Sequence, residues 1–139
     1  MSVLQETIAG KETATGKKRI LIVDDEAGFL LALKRILQGP ELVVDTAETI
    51  ETAMALLNEN AYQVVIADVM LTIMLREEGL EILEYVKEHM PGTKVIILTG
   101  YGNQDLMKKA GTLRADLFFE KPVPPHILQN TLKCWGVAC

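Results

Sequence analysis

Short, almost wholly apolar runs recur along the chain, and the distance between them leaves room for a helix. One run occupies 19–23, and runs of the same kind occupy 64–67 and 95–98. Runs without polar residues are typical of strands that are buried on both faces of a parallel sheet. The segments between them carry apolar residues at helical spacing, as at Leu30 and Leu33. This alternation predicts an α/β fold.

The strand–helix alternation is repeated five times. Parallel strands need crossover connections, and right-handed crossovers place helices on both faces of the sheet. The sequence therefore predicts a doubly wound sandwich with a five-stranded parallel sheet. The predicted strands are about 19–23, 42–46, 63–67, 94–98 and 116–119, and the predicted helices are about 27–37, 48–59, 79–89, 103–110 and 124–135.

Aspartates follow two of the predicted strands. Asp24 and Asp25 come directly after the first apolar run, and Asp68 comes directly after the third. In open α/β sheets, ligands bind just beyond the carboxyl ends of the strands. Three carboxylates that converge there repel one another unless a cation lies between them. The pattern predicts a small acidic pocket for a divalent ion, and the preference of Mg²⁺ for oxygen ligands favours that metal.

Two further strand ends carry polar side chains of a different kind. The fourth apolar run ends at Thr99, and the fifth leads into Lys121. A hydroxyl and an ammonium beside a carboxylate–metal site suit a phosphoryl group. The ammonium would neutralise phosphoryl oxygens, and the hydroxyl would donate a hydrogen bond to one of them.

From about 18 to 135 the chain resembles the CheY-like receiver domain of bacterial two-component response regulators. This resemblance implies a (βα)5 flavodoxin-like fold with strand order 2-1-3-4-5. It also implies a switch that accepts a phosphoryl group and then controls an output partner. The resemblance rests on Asp24-Asp25, Asp68, Thr99-Gly100 and Lys121-Pro122, which occur in this order, each after an apolar strand.

The resemblance implies a role for each acidic residue of the pocket. Asp68 takes the place of the phosphoacceptor, which is phosphorylated by a sensor histidine kinase or a phosphotransfer protein. Asp25 takes the place of a direct Mg²⁺ ligand, and Asp24 would act on the metal largely through water. The main-chain carbonyl of Met70 would be a further ligand.

The resemblance also implies the residues that carry the signal. Thr99 and Lys121 would bind the phosphoryl oxygens as the catalytic pair. Thr99 would then move inward, and Phe118, in the place of the family's switch aromatic, would follow it. The surface of the fourth helix, fifth strand and fifth helix would change and act on a downstream output protein or effector domain. The resemblance leaves a homodimer open as well.

The chain departs from the family pattern just after the predicted phosphoacceptor. Thr72 stands where family members usually carry proline, and the stretch 68–79 is longer than usual. Apolar residues in a loop need a partner surface, so we expect this segment to be functional. The alternative is that the third helix begins early and buries them. The apolar residues are Met70, Leu71, Ile73, Met74 and Leu75.

Two other functions remain open at this point. The first is a degenerate receiver that acts as a constitutive protein-binding module, against which the complete set of polar residues argues. The second is an aspartyl-nucleophile phosphatase for small substrates. Such an enzyme normally needs a second acid two residues after the nucleophile to protonate the leaving group, and Met70 holds that position. We therefore do not expect the chain to be an enzyme beyond its own phosphorylation and dephosphorylation.

Composition limits the partners and the location. The net charge of −5 argues against direct binding of nucleic acid or an anionic membrane. We find no apolar run long enough to span a bilayer and no signal peptide, and the two cysteines do not form a disulfide framework. These features predict a cytoplasmic protein. We expect a flexible tail over 1–17 and a receiver domain over 18–136.

Overall fold

Five parallel strands form one sheet in the order β2-β1-β3-β4-β5, as predicted. The computed structural model describes residues 17–69, 78–100 and 104–138. The predicted ligand at Met70 and the apolar residues at 71–75 lie outside these ranges. The strands are β1 (Lys18–Val23), β2 (Leu42–Ala47), β3 (Val64–Asp68), β4 (Lys94–Thr99) and β5 (Leu117–Glu120). The helices are α1 (Ala27–Leu37), α2 (Ile50–Glu59), α3 (Glu78–His89), α4 (Gln104–Thr112) and α5 (Pro125–Cys134).

The sheet lies between two apolar layers, which explains the continuous apolar runs. Successive strand residues point to opposite faces. Leu21 and Val65 therefore pack with α2, α3 and α4, whereas Ile22 and Ile66 pack with α1 and α5. All four side chains are fully buried. No helix in the described part of the chain is long and apolar enough to cross a membrane.

Helix α2 begins two residues later than the sequence pattern predicts. Thr49 has an extended backbone, and its side-chain oxygen accepts a hydrogen bond from the N–H of Thr52 at 3.1 Å. A threonine in this arrangement caps a helix by satisfying one of its free N–H groups. The helix therefore begins at Ile50, after the cap.

The end of α5 is closed by a glycine in the left-handed region. Gly136 has φ +72°, and its N–H donates to the carbonyl of Lys133 at 3.0 Å. The N–H of Val137 donates to the carbonyl of Leu132 at 2.8 Å. This pair of bonds is a Schellman motif. It returns Val137 to the apolar layer on the α1 and α5 side, so the core extends one residue past the predicted domain end.

A glycine near the start of α3 lies directly against the end of β3. The N–H of Gly79 donates to the carbonyl of Val69 at 3.0 Å. A Cβ on Gly79 would lie 2.1 Å from the carbonyl oxygen of Asp68 and 2.6 Å from the Cα of Val69. Both obstacles are main-chain atoms, which cannot rotate away. The absence of a side chain at Gly79 therefore allows α3 to fix the backbone that carries Asp68.

We predict that Gly79→Ala lowers the free energy of unfolding by about 2 kcal/mol or more, because the added methyl group overpacks against backbone. The matched control is Gly111→Ala, since Gly111 lies in α4 with nothing within 4 Å of an added Cβ. The control should stabilise the protein by about 0.5–1 kcal/mol, as alanine loses less backbone entropy on folding. Urea unfolding measures both values. Equal stability of Gly79→Ala and the wild-type protein would contradict the close approach.

Candidate functional site

Aspartates stand at the ends of β1 and β3, at the same edge of the sheet. Asp24 follows β1 and is fully buried, and Asp68 is the last residue of β3 and is 7% exposed. The N–H of Asp24 donates to the carbonyl of Ala47 at 3.0 Å. One carboxylate oxygen of Asp24 accepts from the N–H of Glu26 at 2.9 Å. The turn after β1 is thus built around the Asp24 carboxylate.

The three predicted acids come together in the structure. Asp24, Asp25 and Asp68 each offer a carboxylate oxygen, and these oxygens all lie within 4.8 Å of one another. The pKa of Asp25 is raised because surrounding protein removes part of its hydration and because Asp24 places a negative charge beside it. Asp25 is exposed, so a cation bound by it would also be accessible to water. Three oxygen donors around an accessible position fit a hard divalent cation, so this pocket could bind a metal.

Lys121 lies against two of these acids. Its Nζ is 2.5 Å from Oδ2 of Asp24 and 2.9 Å from Oδ2 of Asp68. A third carboxylate, that of Glu26, places Oε1 3.3 Å from the same nitrogen. Lys121 follows β5, and the Lys121–Pro122 peptide bond is cis. A single ammonium therefore connects the ends of β1, β3 and β5.

The electrostatics of the pocket keep Lys121 charged. Burial alone would lower the pKa of Lys121, because it disfavours the charged form. Hydrogen bonds to Asp24 and Asp68, together with their negative charges, outweigh burial and raise the pKa of Lys121 above its usual value. At neutral pH the side chain is an ammonium that faces an excess of carboxylates.

Thr99 and Phe118 occupy neighbouring strands. Thr99 ends β4 and is 2% exposed, and its carbonyl accepts the N–H of Lys121 at 2.7 Å. Phe118 in β5 pairs with Ile97, two residues before Thr99, so both side chains point to the same face of the sheet. Phe118 is half-buried against the layer that contains Leu106 of α4. The positions suit the predicted switch, which stays a prediction.

The sequence alone did not assign two residues that contact Lys121. One is Glu26, and the other is Phe29, whose ring centroid lies 4.8 Å from Nζ of Lys121. Glu26 directly follows the two aspartates, and Phe29 comes three residues later, on the same side of a helix. That spacing was the signal available in the sequence. Whether the two side chains reach Lys121 depends on how α1 is rotated about its axis.

A separate cavity lies away from these carboxylates. Its volume is about 620 Å³, and it lies between α3 and α4. Leu80 and Leu113 form part of its wall, and Glu84 and Lys108 lie among its lining residues. It shares no residue with the acidic pocket. The convergent polar side chains, rather than the size of a cavity, identify the functional site.

Comparisons with known proteins agree with this geometry. Residues 20–133 match the response regulator receiver domain. The chemotaxis protein CheY of Halobacterium salinarum is 30% identical over 105 residues, which cover 76% of this chain and 85% of that protein. The photosynthetic apparatus regulatory protein RegA of Rhodobacter capsulatus is 28% identical over 121 residues. That match covers 87% of this chain and 64% of RegA, so the chain spans less than two thirds of this relative.

A solved structure has the same fold. It is the CheY-like response regulator receiver domain protein of Methanospirillum hungatei JF-1, with a TM-score of 0.78 and 32% identity. The superposition covers 86% of this chain and 93% of that one. The match of residues 20–133 to one family and the fold shared with a solved receiver domain lead to one conclusion. The chain belongs to the response regulator receiver domain family.

Proposed function

We propose that the chain is a phosphorylation-activated receiver whose acceptor is Asp68. The observation that carries this proposal is the position of the Lys121 ammonium, 2.9 Å from Oδ2 of Asp68. The three carboxylates of the pocket lie at the same edge of the sheet. An acid nucleophile, a cation-binding cluster and a fixed ammonium are the parts that phosphoryl transfer to a carboxylate needs.

The proposed reaction transfers a phosphoryl group from a phosphohistidine to Asp68. A carboxylate oxygen of Asp68 attacks phosphorus, the P–N bond breaks, and its electron pair returns to the imidazole, which gains a proton from solvent. The product on Asp68 is an acyl phosphate. Lys121 stabilises the negative charge that spreads over the phosphoryl oxygens, because its ammonium is already fixed beside Asp68. The hydroxyl of Thr99 donates to one of these oxygens.

We propose Mg²⁺ as the metal of the pocket. Asp25 would hold it directly, Asp24 largely through water, and Asp68 through one oxygen, with the Met70 carbonyl as a further ligand. Bound Mg²⁺ supplies positive charge that neutralises phosphoryl oxygens. The carboxylate oxygens are the hard ligands that this ion prefers. The excess of negative charge over the single ammonium of Lys121 supports the same assignment.

Phosphorylation is proposed to act through Thr99 and Phe118. Added charge on Asp68 would draw the hydroxyl of Thr99 inward, and the half-buried ring of Phe118 would move into the space that is left. The surface of α4, β5 and α5 would change as a result. A local electrostatic change would thus bias an element that has two arrangements.

The proposed partners follow from this reaction. A sensor histidine kinase or phosphotransfer protein would supply the phosphoryl group, and an output protein or effector domain would read the changed surface. We propose a receiver domain over 18–136 that acts in the cytoplasm and promotes only its own phosphorylation and dephosphorylation. RegA and CheY are named as regulatory and chemotaxis proteins, which supports a role in signalling.

We predict that Mg²⁺ raises the melting temperature of the protein. A ligand that binds only the folded state adds about 2.7 kcal/mol at about 100 times its Kd. Asp25→Ala should remove most of this gain, because it removes the direct ligand. In metal-free buffer the same variant should be at least as stable as the wild-type protein, since one repelling charge is gone. Thermal unfolding with and without Mg²⁺ measures both effects.

The matched control for this prediction is Glu88→Ala. The Glu88 side chain is 65% exposed and lies on α3, outside the acidic pocket. This variant should keep the full Mg²⁺ effect. A melting temperature of the wild-type protein that does not respond to millimolar Mg²⁺ would count against the metal site.

We predict that Asp68→Asn abolishes phosphorylation by acetyl phosphate in the presence of Mg²⁺. An amide has nearly the same shape as a carboxylate but is a poor nucleophile. The variant should stay folded, because the lost ion pair with Lys121 is offset by weaker repulsion within the pocket. Phosphate incorporation measured by intact-protein mass spectrometry tests this directly.

Asp25→Asn is the control that separates the acceptor from the metal site. Asp25→Asn should be labelled slowly, and its labelling should become faster at high Mg²⁺. Asp68→Asn should not be labelled at any Mg²⁺ concentration. Full labelling of Asp68→Asn would show that another residue is the acceptor. A wild-type protein that is never labelled would favour the degenerate receiver, and turnover of a generic phosphate ester would favour the phosphatase.

A further inference from the structure

The ammonium of Lys121 has contacts of two different kinds. Three carboxylates lie within 3.3 Å of Nζ, those of Asp24, Asp68 and Glu26. An ammonium has three N–H donors, so these acids can use all of them. The fourth contact is the ring of Phe29, with its centroid 4.8 Å from Nζ. This distance is within the range in which an aromatic ring attracts a cation.

Phe29 is anchored by its packing against the core. It lies in the first turn of α1, and its half-buried side chain packs against the apolar layer between the sheet and the helices α1 and α5. Glu26, the residue before α1, is three positions earlier and contacts the same ammonium. The start of α1 therefore presents both an aromatic ring and a carboxylate to Lys121. Of these two, only the ring is anchored in the core, since the Glu26 side chain is 67% exposed.

A metal in the acidic pocket would affect these contacts unequally. Asp24 and Asp68 belong to the carboxylate cluster, so a divalent cation would compete with Lys121 for their oxygens. The cation would also repel the ammonium, because the two positive charges would share one small pocket. Phe29 offers no oxygen to a hard cation, and the attraction between its ring and the ammonium would remain.

We propose that Phe29 is a positioning residue that keeps the Lys121 ammonium beside Asp68 while a divalent cation occupies the acidic pocket. This inference rests on the proposed function and adds a residue to it. Lysine has a long flexible stem, so an ammonium released by its acids would sample many positions. Phe29 limits that freedom, and Lys121 stays placed for the phosphoryl oxygens.

The first test compares Phe29→Leu with Phe29→Tyr. Leucine fills the apolar site without a ring, whereas tyrosine keeps the ring. At saturating Mg²⁺, the rate of phosphorylation by acetyl phosphate should fall about threefold to tenfold in Phe29→Leu, as expected for loss of a partly desolvated cation–π contact. The rate of Phe29→Tyr should stay within about twofold of the wild-type rate. Acetyl phosphate is used because it needs no kinase surface.

A double-mutant cycle separates positioning from a general structural effect. In the Lys121→Met background, Phe29→Leu should cause no further loss of rate, because the residue it positions is absent. An equal loss in both backgrounds would overturn the proposal, and so would an unchanged rate in Phe29→Leu. Should Phe29→Leu prove unstable, Phe29→Met supplies the same comparison with a longer side chain.

The second test needs no phosphorylation. The ε-methylene NMR signal of Lys121, assigned with Lys121→Arg, should be shifted upfield by the ring of Phe29. The shift should persist when Mg²⁺ is added and should disappear in Phe29→Leu. A wild-type shift that is absent, or that vanishes on addition of Mg²⁺, would overturn the inference. If the wild-type protein were not phosphorylated at all, the proposed function would fail, and this spectrum alone would decide whether Phe29 holds Lys121.

Discussion

The site depends on one ammonium that bridges two buried carboxylates. Nζ of Lys121 lies 2.5 Å from Asp24 and 2.9 Å from Asp68, residues that are 97 and 53 positions away in the sequence. These bonds connect the ends of the first, third and fifth strands. Burying an ion pair costs free energy because both charges lose their hydration. Well-packed apolar residues in its place often stabilise a protein as much as the ion pair does. The position of this Lys121 bridge, at the edge of the sheet where the strands end, therefore indicates a role in function more than in stability.

The bridge leaves the pocket with unbalanced charge. Asp24, Asp25, Asp68 and Glu26 surround one positive charge, and the pKa of Asp25 is raised by lost hydration and by its negative neighbour. Such a pocket favours the arrival of positive charge. A cation bound by Asp24 and Asp68 would weaken the bonds that hold Lys121, whereas the contact with the ring of Phe29 lies outside that competition.

Much of this arrangement could be predicted from the sequence, for a simple geometric reason. Continuous apolar runs define buried parallel strands, and parallel strands end at one edge. Asp24, Asp68 and Lys121 each follow such a run, so their convergence did not depend on details of packing. The buried faces of the helices were also predictable, because helical spacing places apolar residues on one side. Leu30 and Leu33 of α1 are buried as their spacing indicates.

The features that could not be predicted depend on close approach between elements. The contact of Phe29 with Lys121 requires a particular rotation of α1. The 2.1 Å between a Cβ on Gly79 and the carbonyl of Asp68 depends on the distance of α3 from β3, which no periodicity reveals. The turn at Gly136, which returns Val137 to the core, was not predicted because a glycine that follows a helix does not by itself show where the chain turns.

The burial of the strands suggests where the domain can change its shape. Every residue of β3 is buried, whereas three residues of β5 are half-buried and the fourth is exposed. Elements with little buried surface open at lower free energy than the core. The N–H of Lys121 donates to the carbonyl of Thr99 at 2.7 Å, so we expect a shift of Thr99 to move the residues that follow β5. Because β3 is held on both faces, we expect β3 to stay fixed if Asp68, the proposed acceptor, is phosphorylated, and the change to appear in β5, where Phe118 lies.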